Sequence, residues 1–177
     1  WDIETSQAGR GAGNFGSMYC WCILDRPTGD IAGDYMKRLS RKEEKRVVAS
    51  MLTEMRKFDR LYTWYGVGHD GPISRSRAEH YRLDFPGYQE VIHTDLYFSF
   101  RSKFKLHSNK QDAVAEFFEQ PPQVHTLRPK TWIDAHFPDT FSEAMEHIYK
   151  HCREDVAQTQ WIHDRIEKYM MGTRRTL

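Results

Sequence analysis

The sequence predicts an α/β fold with a central mixed sheet of five strands flanked by helices. Three observations predict it: five short segments have β-type composition, four segments have helical periodicity, and the two kinds alternate after the third strand. The predicted strands are residues 1–6, 18–24, 31–39, 61–66 and 91–100, and the predicted helices are residues 40–58, 72–82, 109–119 and 141–170.

Local signals mark the ends of these elements. A turn at residues 25–30, which contains both proline and glycine, separates the second strand from the third. Ser40 and Glu43 have the spacing of a capping box at the start of the first helix. Pro72 suits the first turn of the second helix. The first helix has an apolar face at helical spacing, formed by Val47, Val48, Met51, Leu52, Met55 and Phe58.

The length of 177 residues suits a single domain, residues 1–177. Hydrophobic residues make up 39% of the chain, which is too high for a disordered segment. No run of 18 apolar residues occurs, so we expect no membrane partner. Because the chain starts inside a predicted strand, we expect the natural protein to have residues before Trp1. Residues 7–16 are rich in glycine, and we expect them to form a connection between strands. They do not match a phosphate-binding loop, because no Lys-Ser/Thr pair follows them.

The number of cysteines and the net charge limit the cellular compartment and the kind of nucleic-acid binding that we expect. Cys20, Cys22 and Cys152 are an odd number of cysteines, which suits a reducing compartment, and we expect a cytoplasmic protein. Cys20 and Cys22 share a strand face, and no second pair completes a metal site. The 26 basic and 25 acidic residues give a net charge of +1, so any nucleic-acid binding must come from local patches.

Carboxylates occur where apolar side chains are expected. Side chains alternate along a strand, so Asp2 and Glu4 share one face, which is either a solvated polar face or part of a site. Asp155 interrupts the apolar stripe of the last helix, and His151 lies one turn before it. A buried carboxylate needs a partner, which an arginine or a metal ion would supply. The stripe consists of Ile148, Cys152, Thr159, Ile162, Ile166 and Met170.

Asp70 is a fourth candidate acid. It follows the strand at 61–66 in a glycine-rich loop, where it either caps the next helix or joins the other acids. Two carboxylates at ~4 Å repel by roughly 4 kcal/mol at an effective dielectric near 20. Divalent cations remove this repulsion, and all-oxygen ligand sets suit Mg²⁺ or Mn²⁺. Two such ions can activate a water and stabilise the leaving oxygen of a phosphodiester.

Three segments, in order and at suitable spacing, resemble the motifs of the DEDD (DnaQ-like) exonucleases of the ribonuclease H-like superfamily. WDIET (1–5) is similar to the first motif, TWYGVGHDGPISRSR (63–77) to the second and HCREDVAQT (151–159) to the third. The segment between the second and third motifs is also similar, over residues 93–118 and 130–132. The resemblance covers nearly the whole chain and is closest to the branch related to the exonuclease domain of family-B DNA polymerases. It implies a ribonuclease H-like fold.

The resemblance also implies roles for individual residues. It implies His151 as the general base, with Tyr149 as the alternative if the register of the third motif slips. It implies Asp95 as an accessory acid, although Asp95 also suits a hydrogen-bonded structural role. It implies two Mg²⁺ or Mn²⁺ ions held by Asp2, Glu4, Asp70 and Asp155. The sequence departs from the family pattern where the second motif lacks its usual asparagine, where His69 replaces an aromatic residue, and where His151 replaces the usual tyrosine.

Basic residues suggest where a nucleic acid would lie. Arg75 and Arg77 follow the second motif and would face phosphate. Residues 101–110 combine basic side chains with one aromatic side chain. This combination suits the binding of a single DNA strand, with its phosphates held by charge and a base stacked on the ring. The alternative is that these residues form an ordinary solvated loop. The residues concerned are Arg101, Lys103, Phe104, Lys105 and Lys110.

The sequence therefore predicts a 3′–5′ exonuclease that acts on DNA and releases nucleoside 5′-monophosphates. Its expected partner is nucleic acid, with single-stranded or 3′-ended DNA favoured and RNA as an alternative, together with a replication or repair protein. An endonuclease on RNA–DNA hybrids or branched DNA is the second interpretation. A binding module without catalysis is the third.

Overall fold

The computed structural model describes residues 1–6, 16–87 and 89–170. Most of the glycine-rich stretch at 7–16 lies outside the described residues. The strands are β1 (Asp2–Thr5), β2 (Met18–Leu24), β3 (Ile31–Tyr35), β4 (Arg60–Thr63) and β5 (Ile92–Asp95). The helices are α1 (Arg41–Met55), α2 (Asp70–Tyr81), α3 (Leu96–Lys103), α4 (Gln111–Phe117), α5 (Pro129–Asp134) and α6 (Pro138–Met170).

The five described strands form two small sheets that lie side by side. β2 pairs antiparallel with both β1 and β3, and β4 pairs parallel with β5. The backbone nitrogen of Trp1 donates to the carbonyl oxygen of Tyr62 at 2.8 Å, which places the start of β1 beside β4. The predicted mixed α/β fold is confirmed, with its sheet divided into a three-stranded and a two-stranded part.

Helices α1 and α6 cover opposite faces of the three-stranded sheet. Asp34 of β3 accepts a hydrogen bond from Ser50 of α1 at 2.8 Å. The neighbouring Gly33 points the other way, where a side-chain carbon would lie only 2.7 Å from the hydroxyl oxygen of Tyr149 on α6. Glycine therefore lets α6 approach the sheet closely. In this three-layered arrangement, the face that packs against α6 is the one that positions the candidate site.

Helix α1 begins as its sequence predicts. The Ser40 side chain accepts a hydrogen bond from the backbone nitrogen of Glu43, which satisfies one of the unpaired donors of the first turn. The apolar stripe of α1 then packs against β2, with Val47, Val48 and Met51 fully buried. Burial of a side chain of this size contributes roughly 1.5–3 kcal/mol.

The predicted strand at 91–100 is wrong in its second half. β5 ends at Asp95, whose side chain accepts a hydrogen bond from the backbone nitrogen of Tyr97 and starts α3. Leu96 and Phe100, four residues apart, are both fully buried on the inner face of this helix. The run of aromatic residues favours a strand locally, but tertiary packing overrides that preference.

Other boundaries also differ from the prediction. The predicted loop before the last helix contains α5, which starts with Pro129 at its first turn, and α6 begins at Pro138. A second apolar cluster joins α3, α4 and the end of α6 through Phe100, Val114, Ala115, Ile162 and Ile166. Within the described ranges, none of the helices combines the length and the apolar character that crossing a bilayer requires.

Candidate active site

Strand β1 presents two carboxylates to helix α6. Burial alternates along β1, with Ile3 and Thr5 buried on one side and Asp2 and Glu4 on the other. Asp2 and Glu4 pair across the sheet with Cys22 and Cys20. Cys152 of α6 lies against this face, with its Sγ 3.7 Å from the carbonyl oxygen of Asp2. The two acids therefore face into the layer between sheet and helix.

Helix α6 brings His151 and Asp155 to the same place. His151 Nε2 lies 3.2 Å from Asp155 Oδ2 and 3.8 Å from Glu4 Oε1. The three side chains are between 16% and 17% exposed. One donor atom from each lies within 4.8 Å of the others, a spacing that can hold a metal ion.

Asp70 joins the cluster from the first residue of α2. It is 2% exposed, and its Oδ1 accepts a hydrogen bond from the backbone nitrogen of Ile3 at 3.1 Å. Ile3 is the residue between the two acids of β1, so the bond ties α2 to that strand. The residue that precedes α2 is His69, which makes no side-chain capping bond.

Burial raises the pKa values of all four carboxyl groups, and repulsion within the cluster adds to this effect at Asp2 and Glu4. Burial, followed by the charges of Asp70 and Asp155, raises the pKa of Asp2 well above its ordinary value. Burial and then Asp155 do the same to the pKa of Glu4. Burial raises the pKa of Asp70 to about 6, and it raises the pKa of Asp155 although His151 opposes it.

The cluster has no cationic side chain from lysine or arginine among the described residues. The arginine that would neutralise Asp155 in a structural ion pair is absent there, and His151 is its ionic neighbour. One oxygen of Asp2, Oδ2, is buried without a hydrogen-bond partner in the described parts of the chain. Buried charges are normally paired or bound to metal. A set of carboxylate oxygens fits a hard divalent cation, and this donor set therefore fits Mg²⁺ or Mn²⁺.

Two glutamines that the sequence analysis did not single out hold Asp155 in place. Gln123 Nε2 donates to Asp155 Oδ1 at 2.6 Å, and Gln111 Nε2 donates to the Asp155 carbonyl oxygen at 2.9 Å. The loop that carries Gln123 is fixed to α6 by His125, whose backbone nitrogen and ring Nδ1 both contact Glu154. No local pattern signals these contacts, because the partners are 32 and 44 residues apart.

Asp95 lies apart from the acid cluster and organises the backbone. Its two carboxylate oxygens accept hydrogen bonds from the backbone nitrogens of Tyr65, Val67 and Tyr97 at 2.9–3.0 Å. These bonds join the loop after β4 to the start of α3. The geometry therefore favours the structural role over that of an accessory acid.

The predicted substrate-binding residues separate into two groups. The exposed residues are Arg75, Arg101, Lys103, Lys105 and Lys110. Phe104 instead packs into the second apolar cluster, stacked on Phe100 with ring centroids 4.7 Å apart. Because the Phe104 ring is packed in this cluster, it is not free to stack on a base.

Arg77 also differs from its predicted role, because its guanidinium points inward rather than towards phosphate. Its Nη2 donates to Glu44 Oε2 at 2.6 Å, and Glu44 is 1% exposed. Glu44 also accepts hydrogen bonds from Tyr81 Oη at 2.6 Å and from the Met18 backbone nitrogen at 3.0 Å. This network fastens α1 to α2 and β2.

We expect Arg77→Ala to lower the free energy of unfolding by about 3–5 kcal/mol, because it leaves Glu44 as an uncompensated buried charge. Urea denaturation measures the effect. Arg75→Ala, two residues earlier on the same helix and exposed, is the matched control and should cost less than about 1 kcal/mol. Equal small losses for both variants would show that Glu44 does not depend on Arg77.

Comparison with known proteins agrees with the fold described above. The family described as the RNase H superfamily matches residues 1–167. No curated protein matches the chain. Among solved structures, the family B DNA polymerase from the hyperthermophilic archaeon Pyrobaculum calidifontis is similar in fold, with a TM-score of 0.70 and 15% sequence identity. The match covers 95% of this chain and 24% of the polymerase.

These two findings confirm the resemblance that the three motifs predict, and the superfamily match supports nuclease activity as a general class. The polymerase is matched over about a quarter of its length, so the comparison with it concerns the fold. The match to the superfamily, in contrast, extends over nearly all of the chain. The chain therefore belongs to the RNase H superfamily.

Proposed function

We propose that this chain is a metal-dependent 3′–5′ exonuclease that hydrolyses DNA to nucleoside 5′-monophosphates. One observation carries the proposal: buried carboxylates from β1, α2 and α6 converge where, among the described residues, no lysine or arginine neutralises them. Burying such a group without compensation costs several kcal/mol, so the cluster suits a site that binds cations.

The four carboxylates would hold two divalent ions, Mg²⁺ or Mn²⁺. When bound, the ions supply activation of a water and neutralisation of charge on the reacting phosphate. The chain positions the ligands rigidly, since Ile3 fixes Asp70 and Gln123 fixes Asp155 through hydrogen bonds of 3.1 and 2.6 Å. Preorganised ligands need no rearrangement during the reaction, which lowers the barrier.

The proposed acceptor of the proton from the attacking water is His151. Its Nε2 faces Glu4 and Asp155 at 3.8 and 3.2 Å. Its Nδ1 is buried and has no hydrogen-bond partner in the described residues. The position of the ring beside the acid cluster supports this proposed role, because a general base has to lie within reach of the attacking water.

We expect His151→Ala to lower the cleavage rate by about 10²–10⁴-fold with little loss of DNA affinity, because a general base contributes about that much. His151→Tyr, which restores the residue usual in the resembling family, should retain part of the rate. His80→Ala, at an exposed histidine ten residues after Asp70 on α2, is the control and should cleave normally. Near wild-type cleavage by His151→Ala would place the base elsewhere.

Cleavage of single-stranded DNA labelled at either end tests the proposal. With Mn²⁺, a 5′-labelled strand should shorten step by step from its 3′ end, and a 3′-labelled strand should release labelled mononucleotide at once. EDTA should stop both reactions. Internal fragments from hybrid or branched substrates would instead indicate an endonuclease. Binding without any cleavage would indicate a module that only recognises nucleic acid. The fold similarity to a polymerase makes a replication or repair protein the partner to test.

A further inference from the structure

A cavity of about 390 Å³ lies beside the acid cluster, and its walls are aromatic. Its volume is in the range of about 300–1,000 Å³ that is usual for small-molecule sites. Gln111 connects it to the candidate active site, since this residue lines the cavity and also donates to the Asp155 carbonyl oxygen. We call this cavity the aromatic pocket; it is lined by Trp64, Tyr65, Tyr97, Asn109, Lys110 and Gln111.

The aromatic rings are held in fixed positions. The Tyr65 and Tyr97 rings meet edge to face at 5.0 Å, and Trp64 and Tyr97 meet at 6.2 Å. Asp95 draws the two tyrosines together by accepting both of their backbone N–H groups. Trp64 is fixed by its Nε1, which donates to the Asn109 carbonyl oxygen at 3.1 Å.

The backbone at Tyr65 is strained to present its ring. Tyr65 has a φ of 66°, in the left-handed region that disfavours bulky residues. Such conformations concentrate at ligand sites, where the surroundings enforce them. Gly68 allows the ring to lie there, because a side-chain carbon at that position would be 2.5 Å from the ring. Tyr65 is nevertheless 46% exposed, so this arrangement does not serve to bury it in the core.

The polar groups of the aromatic pocket suit a nucleotide. Asn109 Oδ1 is buried and accepts no hydrogen bond in the described residues. Asn109 also lines the aromatic pocket, and its side-chain amide has both donor and acceptor groups of the kind that pair with the edge of a base. Lys110 lies in the wall, and Arg101 is exposed one turn after Tyr97 on α3. The six lining residues include no carboxylate, so the charge of the pocket suits phosphate.

We propose that the aromatic pocket binds one unstacked base of a DNA single strand whose 3′ end lies in the acid cluster. This inference rests on the proposed function for the strand direction, but the binding itself does not require cleavage. Base stacking on aromatic side chains tolerates any sequence, because every base has a π face. Tyr65 and Tyr97 would therefore provide the stacking surface that the sequence predicts at Phe104.

Fluorescence anisotropy with a labelled single-stranded oligonucleotide tests the proposal in Ca²⁺, with strand integrity checked on a gel. We expect Tyr65→Ala and Tyr97→Ala to weaken binding by about 5- to 150-fold, the effect of losing one stacked base. Tyr65→Phe should bind normally. Phe117→Ala removes an aromatic that is 56% exposed but lies outside the aromatic pocket, and it should also bind normally.

An abasic site, moved one position at a time along the 3′ end, separates stacking from a general effect on the fold. At one position, the abasic site should weaken DNA binding by the wild-type chain by about as much as the tyrosine substitutions do. At that same position, it should not weaken DNA binding by Tyr65→Ala any further. Additive losses at every position overturn the proposal, as does unchanged binding by both tyrosine variants. Failure of the wild-type chain to bind the strand also overturns it. The chain could also cut DNA internally in Mn²⁺ while the abasic site still has no further effect in Tyr65→Ala. That result would refute the proposed exonuclease activity and leave the proposed role of the aromatic pocket standing.

Discussion

Replacing Asp155 with asparagine should reduce DNA cleavage by on the order of 10³-fold or more while the chain remains folded. Metal ions supply several kcal/mol of transition-state stabilisation, and each 1.36 kcal/mol is worth about tenfold in rate. Asparagine keeps the oxygen that accepts from Gln123 and removes only the charge. Single-turnover cleavage in Mn²⁺ measures the loss.

Glu143→Gln is the matched control for this variant, because Glu143 is an exposed acid on the same helix. It should cleave at the wild-type rate. Thermal unfolding of metal-free Asp155→Asn should occur at the wild-type temperature or above it, since one of several repelling charges is gone. Unfolding of the variant at room temperature would show instead that Asp155 is part of a structural contact. Wild-type cleavage by a folded variant would exclude Asp155 from the site.

Asp70→Asn should stabilise the metal-free chain at neutral pH by up to about 3 kcal/mol. Burial raises the pKa of Asp70 from its ordinary value of 3.8 to about 6 in the folded state, and each pKa unit corresponds to about 1.36 kcal/mol. Because the folded state holds the proton more tightly, the stability that this group contributes is full below pH 3.8 and is lost as pH rises through 6. Asparagine avoids that loss and retains the oxygen that accepts from Ile3.

Urea denaturation in EDTA at pH 4 and pH 7.5 measures this difference. The gain from Asp70→Asn should be large at pH 7.5 and small at pH 4. Asp30→Asn, at an exposed turn, should show no gain at either pH. In the wild type, Mn²⁺ should raise the melting temperature, because it binds the folded state only, and Asp70→Asn should respond less. A loss of stability in the variant at pH 7.5 would mean that the Asp70 charge is satisfied within the fold.

Much of the site follows from periodicity in the sequence. Alternation along a strand is enough to place Asp2 and Glu4 on one face, and the structure shows that pattern. A helical spacing of three and four residues is enough to place Asp155 on the inner side of α6 with His151 one turn away. The capping box at Ser40 likewise defines the start of α1.

Contacts between distant segments were not predictable in this way. Arg77 pairs with Glu44, 33 residues away, and nothing near either residue indicates that they meet. The same holds for Gln111 at the start of α4 and for Gln123 in the loop after it, whose contacts with Asp155 of α6 have no local signal. The aromatic pocket combines residues from the loop after β4, from α3 and from the start of α4.

Helix α3 differs from the strand predicted at residues 91–100 for another reason. Its aromatic residues have strand propensity, and local composition outweighed two signals that were present. Asp95 is a good N-cap residue, and Leu96 and Phe100 have helical spacing. These two signals together predict a helix from Leu96 and place Tyr97 on it rather than on an extended strand.

Titration of the metal-free chain with Mn²⁺, followed by electron paramagnetic resonance, tests most directly whether the acid cluster is a metal centre. We expect the wild-type chain to bind two Mn²⁺ ions. The double variant Asp2→Asn with Asp155→Asn, once shown to be folded, should bind neither at the same concentration. Equal binding by the two proteins, or no binding by the wild type, would contradict this expectation.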